Sequence, residues 1–119
     1  MIDSNFAEYN VNGTAVGSTL TTTSGDLFEL VDKPHVFVGV TFTDNNGTAA
    51  TPSAGTYTIT AELITNPGVF QSIQNATSVD ATAALQTYSF AGAVSRIKVT
   101  PSGIGTATKY NVKITAYKS

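Results

Sequence analysis

The chain contains no cysteine and no tryptophan, and one histidine. Without cysteine there is no disulfide framework, no thiolate metal site and no Cys nucleophile. A lone His35 is too little for a histidine-ligated metal centre. A Ser-His-Asp site would need His35 beside an acid and a nucleophile, and no G-x-S-x-G motif provides that setting. Three Glu and five Asp are present, but no spacing among them selects a pair for glycoside cleavage. "TDNNG" around Asp44 resembles part of a calcium loop. It lacks the bidentate Glu and the ligand spacing, so it is read as a turn. Phosphate-cradling glycine loops are absent. The expectation is a protein that is not an enzyme and holds no cofactor and no metal.

Charge is scarce as well, at 12% of residues against 41% apolar. That is too little charge for a disordered chain, and the apolar residues are too dispersed for a membrane span. No membrane partner is expected. The opening "MIDSNFAEYN" has neither a basic region nor an apolar run, so it is not expected to be a signal peptide. The three N-x-S/T triplets at Asn12, Asn46 and Asn75 are accordingly read as incidental.

What the chain does have is threonine, β-branched residues and a period of two. No stretch keeps a 3.6-residue period. In "HVFVGVTFT", Val36, Val38, Val40 and Phe42 share one face. In "TYTITAELIT", Tyr57, Ile59, Ala61 and Leu63 share one face, and Thr56, Thr58, Thr60 and Glu62 the other. "DNNGTAATPSAG" between them is rich in turn formers. "DLFELV", "GVFQSIQ" and "LQTYSF" read as further strands. The only helix-tolerant piece is "SVDATAAL", residues 78 to 85, too short to stand alone. Seven or eight short strands in 119 residues predict one all-β domain, a single antiparallel β-sandwich of immunoglobulin-like or jelly-roll type, over residues 1–119. Residues 1–12 carry no clear period and read as an extended N-terminal arm. Phe6 and Tyr9 give that arm two apolar anchors, either for a partner or for this chain's own core.

The charges are unevenly placed. Residues 1 to 95 hold all eight acids and one cation, Lys33; residues 96 to 119 hold Arg96, Lys98, Lys109, Lys113 and Lys118. In "SRIKVT", Ile97 and Val99 point one way and Arg96 and Lys98 the other. "PSGIG" offers turn chemistry. In "KYNVKITAYK", Tyr110, Val112, Ile114 and Ala116 point inward, with Lys109, Asn111, Lys113, Thr115 and Tyr117 outward. Read as a closing hairpin, this places Arg96, Lys98, Lys109 and Lys113 on one solvent face of one sheet. Such lysines keep a sheet soluble and discourage edge pairing, or they dock on an acidic partner. Phe37, outward in mid-strand, is a candidate interface anchor. Nucleic acid is not an expected partner, because the net charge is -2 and the basic residues lack interleaved exposed aromatics apart from Tyr117.

The C-terminal half, with its "GVFQSIQN" strand, Ala-rich bridge and "FAGAVSRIKVTPSGIGTATKYNVKI", resembles the small β-sandwich accessory proteins of tailed-bacteriophage virions. The likeness lies in a Phe-x-Gly, an Ile-x-Val and a closing Tyr-x-Val, together with the polar N-terminal segment. The resemblance implies a non-catalytic virion structural protein, most of all a capsid decoration or cement protein. It implies docking on a major capsid protein or another virion protein, and a homo-oligomer, preferably a trimer. The expected location is the phage particle, after synthesis in the host cytoplasm. The alternative is a carbohydrate-binding or adhesin-type module of a phage tail or bacterial surface protein, which a groove of aromatic side chains with nearby Asn and Asp would favour.

Overall fold

A computed structural model of the protein describes residues 6–22, 35–73, 75–84, 87–91 and 94–117. Nine strands follow in chain order: β1 Phe6–Ala15, β2 Leu20–Thr21, β3 His35–Thr43, β4 Ala54–Leu63, β5 Phe70–Ser72, β6 Val79–Asp80, β7 Thr87–Ala91, β8 Val94–Gly105 and β9 Lys109–Tyr117. All ladders are antiparallel. They make two sheets packed face to face. The first has the order β1-β9-β3-β7; the second has the order β2-β8-β4-β5, with β6 also on β4. The all-β sandwich is as the period of two predicts.

The alternation sets which side chains meet between the sheets. Val36, Val38, Val40 and Phe42 of β3, with Tyr110, Val112, Ile114 and Ala116 of β9, are buried from one side. Tyr57, Ile59 and Ala61 of β4, with Ile97 and Val99 of β8, meet them from the other. Each fully buried Val or Ile contributes roughly 1.5 to 3 kcal/mol. The buried phenol of Tyr110 donates to the Ser18 carbonyl at 2.8 Å, so its polar end is satisfied. Burial, with Tyr88 beside it, pushes the Tyr57 phenol well above its ordinary pKa. Thr22 latches β2 onto β8: its hydroxyl accepts from the Ile97 N–H at 2.9 Å.

The sequence reading is corrected at three places. β8 and β9 are not a hairpin. β8 belongs to the second sheet and β9 to the first, because the chain crosses between sheets at Thr106–Thr108. "PSGIG" is not the turn but the last stretch of β8. Pro101 is tolerated there because β2 pairs with β8 only as far as Val99, leaving that side of the strand open among the described residues. Gly103 and Ile104 stand opposite the single Gly55, a bulge that uses φ of +65° at Gly103 and +109° at Gly55. Residues 78–84 hold no helix, in keeping with a helix-tolerant piece too short to stand alone; Val79–Asp80 pairs with Tyr57 and Thr56 of β4, and Asp80 then closes a turn by accepting from the Thr82 N–H and hydroxyl. Residues 6–12 are not a free arm but most of β1, zipped along β9 from Phe6 opposite Tyr117 to Val11 opposite Val112.

Of the weaker strand readings, "GVFQSIQ" shortens to Phe70–Ser72 and "LQTYSF" to Thr87–Ala91. "DLFELV" lies outside the described residues. "TDNNG" is the turn it was read as: Asp44 Oδ1 accepts from the Asn46 and Thr48 N–H groups at 2.8 and 3.0 Å, and Gly47 takes φ of +82°.

Candidate functional site

The four basic positions do not form one strip. Arg96 and Lys98 lie on the outer face of the second sheet, Lys109 and Lys113 on the outer face of the first. The two faces look away from each other across the core. Alternation along each strand was read correctly; which sheet each strand joins was not.

On the second sheet the cations are tied into a cluster by residues far off in sequence. Register places Arg96 opposite Glu62, and Glu62 opposite Phe70. Arg96 Nε donates to Glu62 Oε1 at 2.8 Å, and Nη2 donates to Oε2 at 2.7 Å, the forked geometry that suits guanidinium and carboxylate. The Gly68 N–H donates to Glu62 Oε2 at 2.7 Å, so the carboxylate also pins the loop between β4 and β5. The Arg96 guanidinium above all, and then the Gly68 amide, holds the Glu62 carboxyl down to about 2. Phe70 carries both cations over its ring, Arg96 at 5.0 Å and the Lys98 ammonium at 4.3 Å from the centroid. Glu62 is 4% exposed although it lies on an outer face, because the Arg96 and loop atoms cover it. Sequence reading missed both Glu62 and Phe70. The signal was the Glu at an outward position of a Thr-rich strand, and it needed the register to become visible.

The first sheet is looser. Lys113 pairs with Glu8 at 3.6 Å, both side chains well exposed. Phe37 is half-buried on this outer face, as its outward reading requires, and meets Tyr117 edge-on with ring centroids 5.7 Å apart. Tyr117 is 40% exposed. Tyr9 faces the other way and packs partly buried against the core, so it anchors β1 to its own domain rather than reaching for a partner. The backbone of Phe6 stands opposite Tyr117; its side chain lies outside the described residues. His35 is exposed at the start of β3. Among the described residues no three His, Cys, Asp or Glu side chains gather where they could hold a metal ion, and no helix is long and apolar enough to cross a membrane.

Residues 9–119 match the model of a family described as a domain of unknown function, DUF7265, and the chain belongs to that family. No curated protein matches it. A solved structure described under "Bacillus endospore appendages form a novel family of disulfide-linked pili" is similar at a TM-score of 0.47 and 13% identity, over 96% of this chain and 88% of that one. A likeness at that level transfers nothing to this chain, which has no cysteine with which to form a disulfide.

Proposed function

We propose that this protein is a non-catalytic structural protein, an accessory subunit that docks on a larger protein shell as capsid decoration proteins of tailed phages do. The observation that carries the reading is the Phe37–Tyr117 pair, set among mostly polar described side chains on the outer face of the first sheet. Paired aromatics, partly exposed and rimmed by polar and charged groups, are the usual anchors of protein interfaces. The resemblance of the C-terminal half to virion accessory proteins supplies the shell as the partner. A major capsid protein or another virion protein is the partner in this reading, the virion is the location, and self-association as a trimer accompanies docking.

In this arrangement the rigid sandwich presents the aromatic pair and Lys113 together. Lys113 lies opposite Gly39 on β3, two residues from the Phe37–Thr115 pairing. Docking buries the rings, and a partner acid replaces Glu8 beside Lys113. The test is a Phe37→Ser, Tyr117→Ser double variant, compared with the unchanged protein by light scattering and by co-sedimentation with phage heads that lack the subunit. Loss of association at an unchanged melting temperature supports the reading. Association that survives both substitutions overturns it.

A further inference from the structure

Of the four described cations, three are engaged: Arg96 by Glu62, Lys98 by Phe70 and Lys113 by Glu8. Lys109 has neither an ion pair nor a ring contact among the described residues. It borders an open concavity of about 410 Å³ at one end of the first sheet, lined by polar residues and glycines. That size falls within the range of roughly 300 to 1,000 Å³ typical of small-molecule sites.

Two backbone devices build the walls. On one side β1 bulges: Asn12 and Gly13 stand opposite the single Asn111, with φ of +75° at Gly13. Asn111 fixes the bulge by accepting from the Gly13 N–H at 2.8 Å through its Oδ1, and its amide donates to the Thr41 hydroxyl at 3.3 Å. Bulges of this kind re-aim a side chain next to a site. On the other side is the Asp44 turn, closed by its own carboxylate and by Gly47. Lys109 of β9, which pairs with Thr43 across the ladder, lies between them. The side chains of Asn12, Asn45 and Lys109 make no hydrogen bond among the described residues.

We propose that this concavity binds one neutral, hydroxyl-rich ring, a saccharide unit. The wall offers donors (the Lys109 ammonium and the Asn amides) beside acceptors (the Asn carbonyls and the Asp44 carboxylate). Opposite charges from Lys109 and Asp44 leave the site near balance, which disfavours an anion and suits hydroxyls that both donate and accept. Among the described residues no aromatic ring lines the concavity, unlike the aromatic groove that would favour a carbohydrate-binding module from sequence, so binding rests on hydrogen bonds and is expected in the millimolar range. The proposal is independent of docking through Phe37 and Tyr117, and the two fail separately.

The test is a 15N–1H NMR titration of the whole protein with glucose, galactose, mannose and N-acetylglucosamine, with acetate as the anion control. At least one sugar is expected to shift the Asn12, Asn45, Gly47 and Lys109 amides saturably. Lys109→Ala and Asn45→Ala are expected to weaken that sugar about tenfold each while Lys113→Ala leaves it unchanged. The proposal is overturned if none of the four sugars shifts these amides, if acetate alone does, or if Lys109→Ala binds as tightly as the unchanged protein.

Discussion

Lys98 and Lys113 occupy equivalent places in their strands, each alternating with core residues, yet their surroundings differ. On the second sheet Lys98 belongs to a knot of Phe70, Arg96 and Glu62 that also pins the Gly68 loop. On the first sheet Lys113 has one long, exposed pair with Glu8, and its neighbour Lys109 has none among the described residues. The difference comes from the strands across the ladder. β8 runs beside β4, whose Glu62 brings a carboxylate, with Phe70 of β5 beyond it. β9 runs beside β3, which brings Gly39, Thr41 and Thr43 to the same face. On one face two cations share one carboxylate and one ring. The other presents an aromatic pair, a concavity and a cation with no ion pair among the described residues.

The contrast exists only if both sheets close on one core. Ile114→Asp, under the first sheet, and Ile97→Asp, under the second, should therefore have the same result. Burying an unpaired carboxylate costs several kcal/mol, comparable to the roughly 5 to 15 kcal/mol of a domain's whole stability. Loss of the cooperative melt and of the strand signal in far-UV circular dichroism is expected for both. A folded Ile97→Asp variant would mean that the second sheet is a dispensable flap.

Next in size is the bulge at the far end of the second sheet. A Cβ on Gly55 would lie 2.7 Å from the Ile104 Cα and 2.8 Å from the Gly103 carbonyl, at a φ of +109°. Gly55→Ala should cost about 2 to 4 kcal/mol by denaturant melts. Gly13→Ala on the first sheet meets open space, with only its φ of +75° against it, and should cost about 1 kcal/mol.

The knot itself gives a pH signature. The folded Glu62 carboxyl lies near 2 against an ordinary 4.5, held down chiefly by Arg96. A depressed folded pKa means that the stabilisation is fully present above about pH 4.5 and is lost as pH falls through about 2. Melting temperatures from pH 6 to 2 should fall for the unchanged protein and fall less for Glu62→Gln. Part of the slope should remain, because the Thr82 hydroxyl and N–H hold the Asp80 carboxyl below its usual range too. Identical slopes would remove the Glu62–Arg96 pair from the account.

The smallest effect is expected at the exposed pair. Lys113→Ala should change stability by no more than about 1 kcal/mol, and by less in high salt, where exposed charges are screened. A larger loss would show that the first sheet's face is as tightly knitted as the second's.

Most of the inward and outward facing was legible in the residues. Val36 to Phe42, Tyr57 to Ala61 and Tyr110 to Ala116 are buried at the alternate positions that the period of two marks, because a strand sends successive side chains to opposite sides whatever it pairs with. The Asp44 turn was legible too, since Asp, Asn and Gly carry their turn geometry locally. Two stretches mislead for a local reason: the Gly and Pro of "PSGIG" suit a turn or a bulge, and the absence of a clear period in residues 6–12 suits an arm or an edge strand.

Alternation within this sequence thus determined a β-sandwich and most of its core-facing residues. Only the tertiary structure decided which strands share a sheet. The chain passes from one sheet to the other between β1 and β2, β2 and β3, β3 and β4, β6 and β7, β7 and β8, and β8 and β9, so most strands adjacent in sequence end on opposite sides of the core. Ladder partners come instead from afar, as with Arg96 and Glu62, 34 residues apart. The charge of a face is set by those partners, and no period along a single strand carries that information.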